Sequence, residues 1–191
     1  MKGIRVGCAM TGSFCTFTEA FDAWMDLKDA GVDILPIMSE NAYQTDTRFY
    51  KSEEARRIFE RIAGREIIHE IAMAEPIGPK KLVDMMIVSP CTGNTIAKIA
   101  NGIIDSPVTL AVKSTLRNGK PVLLAVSSND ALGIGARNIG ALLAMKNIFF
   151  VPFRQDDPHG KPQSLVAKFD LLTQAAKEAM NGKQLQPLLA K

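Results

Sequence analysis

The sequence predicts an α/β fold with an open, mostly parallel sheet and helices on both faces. Two observations carry this. Short apolar runs rich in Val and Ile alternate along the chain with segments of helical period. Those runs are nearly continuous rather than alternating, the pattern of strands buried on both faces. A third observation concerns function: the runs end in small polar residues, and open parallel sheets bind ligands outside the carboxyl ends of their strands.

The strand candidates are Ile4–Ala9, Val32–Met38, Met85–Ser89, Pro121–Ser127 and Asn147–Val151. The first helical segment is Phe14–Ala30, where Phe17, Phe21 and Trp24, with Leu27 beyond, recur at intervals of three or four and read as core. Lys51–Ala63 follows, with Ser52 as the expected N-cap and Glu53 and Glu54 in the first turn. Thr95–Asn101, Val108–Arg117 and Ile134–Lys146 complete the middle. Ser164–Met180 reads as a final helix whose last residues fray. Met73–Val83, with two prolines, and Val151–Gln163, with three, are polar and read as loops over a site or at an interface. The expected organisation is one domain, 1–191, with 152–191 as a loop and helix extension.

Composition narrows the function. Of 191 residues 47% are hydrophobic, enough for a substantial core, and the formal charge is only +3 from 23 basic and 20 acidic side chains. So small and dispersed a surplus argues against a nucleic-acid or membrane surface. No apolar run approaches the roughly 20 residues of a membrane span. The N-terminus enters a strand pattern directly, without a signal-peptide core. Cys8, Cys15 and Cys91 lack metal-ligand spacing and cannot all pair, which fits a reducing cytoplasm. His69 and His159 stand apart from any cysteine or acidic cluster, so no metal site is expected.

The strand ends carry the chemistry. The first run ends in Gly12-Ser13 before a helix, where free amides and a hydroxyl at the positive end of a helix dipole suit a phosphate. An ordinary capping turn has the same composition. The dinucleotide fingerprint G-x-G-x-x-G is absent, and no Lys-Ser/Thr pair follows Gly12 as in a Walker loop. After the second run comes Ser39-Glu40-Asn41-Ala42, and Glu40 alone does not make a ribose site; a mononucleotide fits better. The third ends in Pro90-Cys91-Thr92-Gly93-Asn94-Thr95, where Pro90 stops the strand, Gly93 permits a bend and three polar side chains meet a helix N-terminus. The fourth ends in Ser127-Ser128-Asn129-Asp130. All four ends read alike.

These turns resemble the homo-oligomeric flavin-containing cysteine decarboxylases. That family's Pro-Ala-Ser-Ala-Asn-Thr turn stands here as Pro90 to Thr95, and its Gly-Ile-Ala-Asp segment as Gly102-Ile103-Ile104-Asp105. Gly12-Ser13 and Ser39-x-x-Ala42 match as well, and the likeness runs to about Val151. It implies a Rossmann-like subunit that binds FMN near a subunit interface, as a trimer or a multiple of one. Within this group the spacer Glu75-Pro76-Ile77-Gly78-Pro79-Lys80-Lys81 and the Cys-Thr-Gly turn resemble the flavin-type subunits of the dipicolinate synthases. That implies a dehydrogenase-like, NAD(P)-binding A subunit as partner, a small dicarboxylate substrate, and oxidation of dihydrodipicolinate to dipicolinate in the mother cell during sporulation. Two departures separate the chain from the decarboxylases. His69-Glu70-Ile71-Ala72 lies farther from Pro90 than their His-Ile-x-Leu motif does. Of their Pro-Ala-Met-Asn motif, Val126-Ser127-Ser128-Asn129 keeps only the asparagine.

The expected cofactor-binding residues are therefore Gly12, Ser13, Ser39, Pro90, Thr92, Asn94, Thr95, Ser127 and Asn129. A carboxamide both donates and accepts, so Asn94 and Asn129 suit a ring edge or a carboxylate. Asn94 and His69 are the candidate catalytic groups, His69 as a base removing a ring proton, although a histidine in an Ile-Ile-His-Glu-Ile setting is more often a satisfied structural residue. Asn129, Arg137, Arg154 and Lys161 are the candidate substrate-binding residues. Cys8 reads as core, and Cys15 and Cys91 stand beside the flavin without a base that would activate them. Two alternatives remain: a stand-alone flavin-dependent decarboxylase of a cysteine-like substrate, and a non-catalytic subunit that holds flavin or scaffolds its partner.

Overall fold

The computed structural model describes residues 1–190. Its elements follow the expected alternation: β1 (Arg5–Met10), α1 (Phe17–Asp29), β2 (Asp33–Met38), α2 (Glu40–Gln44), α3 (Ser52–Ala63) and α4 (Ile71–Ala74). Then come β3 (Met85–Cys91), α5 (Gly93–Ala100), α6 (Pro107–Arg117), β4 (Val122–Ser128), α7 (Ala136–Leu143), β5 (Ile148–Phe150), β6 (Phe153–Arg154), β7 (Leu165–Ala167) and α8 (Leu172–Met180). The sheet runs β2-β1-β3-β4-β7-β6, with β5 also paired to β4. β2, β1, β3, β4 and β5 are mutually parallel, and β7 lies antiparallel to both β4 and β6.

Burial on both faces explains the continuous apolar strands. Successive side chains of a strand point to opposite faces, and the core accordingly divides in two. Val6, Cys8 and Met10 pack with Trp24, Phe59 and Leu172 beneath α1, α3 and α8. Ala9, Met86, Val88 and Leu124 pack with Ile96, Val108 and Leu142 beneath α5, α6 and α7. Trp24 stacks on Phe59 with ring centroids 6.1 Å apart, so the aromatic stripe of α1 is core, as its spacing predicts.

Several expectations are corrected. Ser52 is not an N-cap: Lys51 holds that position and Ser52 begins α3. Asp46 supplies the missing acceptor, taking the Ser52 N–H at 2.9 Å. Pro90 does not end its strand, because β3 continues to Cys91 through a register irregularity after Val88. The expected final helix from Ser164 begins instead with β7, where Leu165 and Ala167 are buried and Val166 half-buried, the two-residue period of a strand. The two loops contain short elements, α4 with a 3-10 turn at Glu75–Ile77, and β6. The C-terminal residues are tied down, since Phe153 exchanges backbone hydrogen bonds with Leu188 and Ala190 at 3.0 Å each. Lys191 lies outside the described residues.

The edge of β4 is divided, and this shapes the site. Val122–Leu124 pair with β5, whereas Ser127 and Ser128 pair with Val166 and Leu165 of β7. The β6–β7 hairpin thus stands beside the carboxyl end of β4 and walls the cleft there. The strand order 2-1-3 reverses direction at β1 and β3, the switch point at which parallel sheets open a crevice.

Candidate functional site

A cleft of about 890 Å³ opens at this switch point. Gly12, Ser13, Cys15 and Thr16 line it from the end of β1, Thr92, Gly93 and Asn94 from the end of β3, and Ser127 to Asp130 from the end of β4. Asp156 and the run Lys161 to Val166 close the side formed by the hairpin. The volume lies within the range of about 300–1,000 Å³ usual for cofactor pockets.

The polar groups fall into two sets. One set holds the turns together. The Thr11 hydroxyl donates to the Pro90 carbonyl at 2.8 Å and accepts from the Thr92 N–H at 3.0 Å, joining the ends of β1 and β3. The Ser13 hydroxyl donates to the Ser127 carbonyl at 2.6 Å, and Thr16 Oγ1 lies 3.2 Å from Ser127 Oγ, joining β1 to β4. Thr92 caps α5, its side chain accepting from the Thr95 N–H at 3.2 Å. The second set is turned to the cleft: Asn94 and Asn129 are exposed on its wall, and the first amides of α5 lack intrahelical acceptors, as at every helix start.

Of the expected site residues, Gly12, Ser13, Thr92, Asn94, Ser127, Asn129 and Lys161 line this one cleft. Pro90 and Thr95 lie just behind it, both buried, one bonded through its carbonyl to Thr11 and the other through its amide and hydroxyl to Thr92. Ser39 caps α2, accepting from Ala42 N at 3.3 Å. Arg154 lines a neighbouring cleft with Lys168 and Asp170 that shares Cys15, Asp156 and Lys161 with the first. Arg137 is exposed on α7. Thr11, Thr16, Asp130, Asp156 and Gln163 lie beyond the expected set. The polar end of each strand signals the first three, whereas the approach of the 156–166 segment depends on the unforeseen β7 pairing.

His69 stands elsewhere. Ile68 bridges in parallel to Ile37 on the edge of β2, and His69 beside it lies in a separate cleft of about 390 Å³ with Tyr43, Glu70, Asp105 and Ser106. Its ring stacks on Tyr43, centroids 3.9 Å apart and planes 2° from parallel. His69 Nδ1 lies 3.2 Å from the Ile67 carbonyl. A carbonyl only accepts, so Nδ1 is the donor in that contact, and Nε2 lies 3.7 Å from Glu70 Oε1. The thiols divide similarly. Cys8 and Cys91 are buried, and burial raises both above the usual thiol range; a buried, protonated thiol is not a nucleophile. Cys15 is exposed in the cleft.

The family model described as Flavoprotein matches residues 1–177. The chain belongs to the flavoprotein family. This flavoprotein is 46% identical over 189 residues to the dipicolinate synthase B subunit of Bacillus subtilis (strain 168), covering 99% of this chain and 94% of that protein. The crystal structure of the dipicolinate synthase B subunit from Bacillus halodurans C matches with a TM-score of 0.92 and 42% identity, over 100% of this chain and 97% of that chain. The FMN-dependent cysteine decarboxylase SpaF matches with a TM-score of 0.66 over 91% of this chain and 98% of that chain. Its 19% identity makes that a likeness of fold. The expected family and the expected likeness to dipicolinate synthase B subunits are both present. The flavoprotein fold itself matches the sequence-based expectation of an open parallel sheet with helices on both faces.

Proposed function

We propose that this flavoprotein binds FMN in the cleft at the ends of β1, β3 and β4 and serves as the B-type subunit of a dipicolinate synthase. With an A subunit carrying NAD(P), it would oxidise dihydrodipicolinate to dipicolinate in the cytoplasm of a sporulating mother cell. One observation carries the reading: the likeness to dipicolinate synthase B subunits spans essentially the whole chain, including the turns that line the cleft. The FMN-dependent decarboxylase of the same fold supports the choice of cofactor.

The residues fit the cofactor. The Gly12 turn offers backbone amides ahead of a helix N-terminus, which attracts phosphate through hydrogen bonds and the helix dipole together. Asn94 and Asn129 offer donors and acceptors for the edge of a heteroaromatic ring. When bound, FMN supplies a two-electron acceptor for the ring being aromatised. The chain's own part is to orient and shield. The hydroxyl network of Thr11, Ser13, Thr16 and Ser127 fixes the turns, Lys161 on the hairpin can meet a substrate carboxylate, and the hairpin excludes water from one side. His69 lies in a different cleft and would act as a base from there. A homo-oligomer, a trimer or a multiple of one, belongs to the same proposal.

The first test is the absorption spectrum of the purified protein and its titration with FMN. Binding at micromolar concentration supports the reading, and a protein that stays colourless and does not bind FMN defeats it. The second is dipicolinate formation by this chain alone, the A subunit alone and both together. Formation only by the mixture supports a two-subunit enzyme. An A subunit as active alone as the mixture reduces this chain to a scaffold. Release of carbon dioxide from cysteine-containing peptides by this chain alone would favour a decarboxylase.

A further inference from the structure

Three glycines around the end of β4 are not explained by backbone conformation. Gly93, Gly133 and Gly135 are all free of positive φ, so it is the space a side chain would fill that matters. A Cβ on Gly93 would stand 2.6 Å from Ser128 Oγ and 2.8 Å from Asp130 Oδ1. One on Gly135 would stand 3.0 Å from the Asp130 carbonyl oxygen, and one on Gly133 would stand 2.5 Å from Gln163 Oε1 and 3.3 Å from that same carbonyl. The glycines make room for Asp130 and its neighbours.

Asp130 is held firmly in that space. Its carbonyl accepts from the Gly133 N–H at 2.9 Å and the Gly135 N–H at 3.2 Å. Its side-chain Oδ1 accepts from the Ser128 hydroxyl at 2.6 Å. The carboxylate is thereby seated against Gly93, the first residue of α5, where the helix dipole favours a negative charge. It stands in the cleft with Asn94 and Asn129 and forms no ion pair among the described residues. The cation of the cleft, Lys161, is directed to Asp156 at 3.5 Å. An ionised carboxylate only accepts hydrogen bonds, and the half-buried Asp130 carboxylate has the Ser128 hydroxyl as a donor to Oδ1, which leaves acceptor capacity toward the cleft.

We infer that Asp130 is the specificity-determining acceptor of the cleft, fixed by Ser128 and Gly93 to receive an N–H from the ring of the bound ligand. The inference rests on the flavin reading for one of its two possible donors, the imide N–H of the flavin. The other is the protonated nitrogen of a cyclic dicarboxylate. Either way a phosphate, which the Asp130 carboxylate repels, would be held away from it, at the Gly12 turn.

The test has an arm for each donor. FMN and 3-methyl-FMN, which lacks the imide proton, are titrated into wild type and Asp130→Asn. If the flavin is the donor, wild type prefers FMN by about tenfold or more, the range of a hydrogen bond to a charged group, and D130N loses that preference. In the second arm piperidine-2,6-dicarboxylate is compared with cyclohexane-1,3-dicarboxylate, with and without FMN. If the substrate nitrogen is the donor, wild type prefers the amine by a similar factor and D130N does not. Equal behaviour of wild type and D130N in both arms overturns the inference. Failure of wild type to bind FMN overturns the flavin reading instead, and the dicarboxylate arm still decides the role of Asp130. A second pair of variants checks the seating. Gly93→Ala should lower the thermal midpoint of wild type, yet be neutral or stabilising in a Ser128→Ala/Asp130→Ala background, where the better helix former meets no obstacle. The same destabilisation in both backgrounds overturns it.

Discussion

The end of β1 and the end of β3 look alike as sequence and behave differently as structure. At β1, the hydroxyls of Thr11, Ser13 and Thr16 are engaged by Pro90, Thr92 and Ser127 across two strand gaps. At β3, Thr92 is engaged in capping, while Asn94 faces the cleft. Polar residues at a strand end therefore do two jobs. Those with short hydroxyl side chains tie the turns to one another, and those with longer carboxamides reach the cavity. Composition alone does not separate the two, because both jobs call for small polar residues before a helix.

Thr11→Val removes the tie between the two strand ends and has the largest expected effect. Thr11 is 1% exposed, and the change leaves the Thr92 amide without its acceptor and the Pro90 carbonyl with one donor fewer. A buried polar group stripped of its partner costs on the order of 2 kcal/mol. Urea unfolding should show that loss, and FMN affinity of the folded fraction should stay near wild type. Intact stability with lost FMN affinity would move Thr11 into the ligand-facing set. The converse variant is Asn94→Ala. It should weaken FMN about tenfold, equivalent to about 1.4 kcal/mol, while the unfolding free energy stays within about 0.5 kcal/mol of wild type, as for an exposed side chain.

The parallel strands were legible to within a residue or two, because a continuous Val-rich run of that length fits little besides a strand buried on both faces. The hairpin was not. Ser164–Met180 contains both a strand and a helix, and an apolar stretch as short as Leu165-Val166-Ala167 carries no period of its own. It becomes a strand because Ser127 and Ser128 leave the edge of β4 open to it. The site divides in the same way. Gly12, Ser13, Thr92 and Asn94 were legible from local turn chemistry, since a helix N-terminus advertises itself within six residues or so. Asp130 stood in view at the end of Ser127-Ser128-Asn129-Asp130. Only the packing of Gly93 against it, from a distant part of the chain, distinguishes it from another turn residue. His69 is the opposite case: a residue whose chemistry suits a base, carried into another cleft by the bridge of Ile68 to the edge of β2.

A smaller effect comes from a tie on the surface. Asp46 accepts from the Ser52 N–H and pairs with Lys51 at 3.0 Å, and these bonds lower its pKa from 3.8 to about 2. A carboxylate whose pKa is lowered by folding stabilises the fold above its ordinary value and ceases to do so as pH falls through the lowered one. The stability difference between wild type and Asp46→Asn should therefore be present at neutral pH and shrink between pH 3.8 and about 2. Because the pair is exposed, added salt should reduce it.

The smallest expected effect on cofactor binding is that of His69→Gln. His69 shares its cleft with Tyr43, Glu70 and Asp105, none of which lines the cleft of Asn94 and Asn129. Its ring is fixed by the Tyr43 stack and the Ile67 carbonyl, both on the β2 side of the molecule. FMN affinity should thus remain within about twofold of wild type, well inside the tenfold that 1.4 kcal/mol represents, whatever happens to dipicolinate formation. Unchanged affinity with lost turnover separates a base from a binding group. A loss of FMN affinity comparable to that of Asn94→Ala would mean that the two clefts meet on one flavin, and the division between them drawn from the single chain would fail.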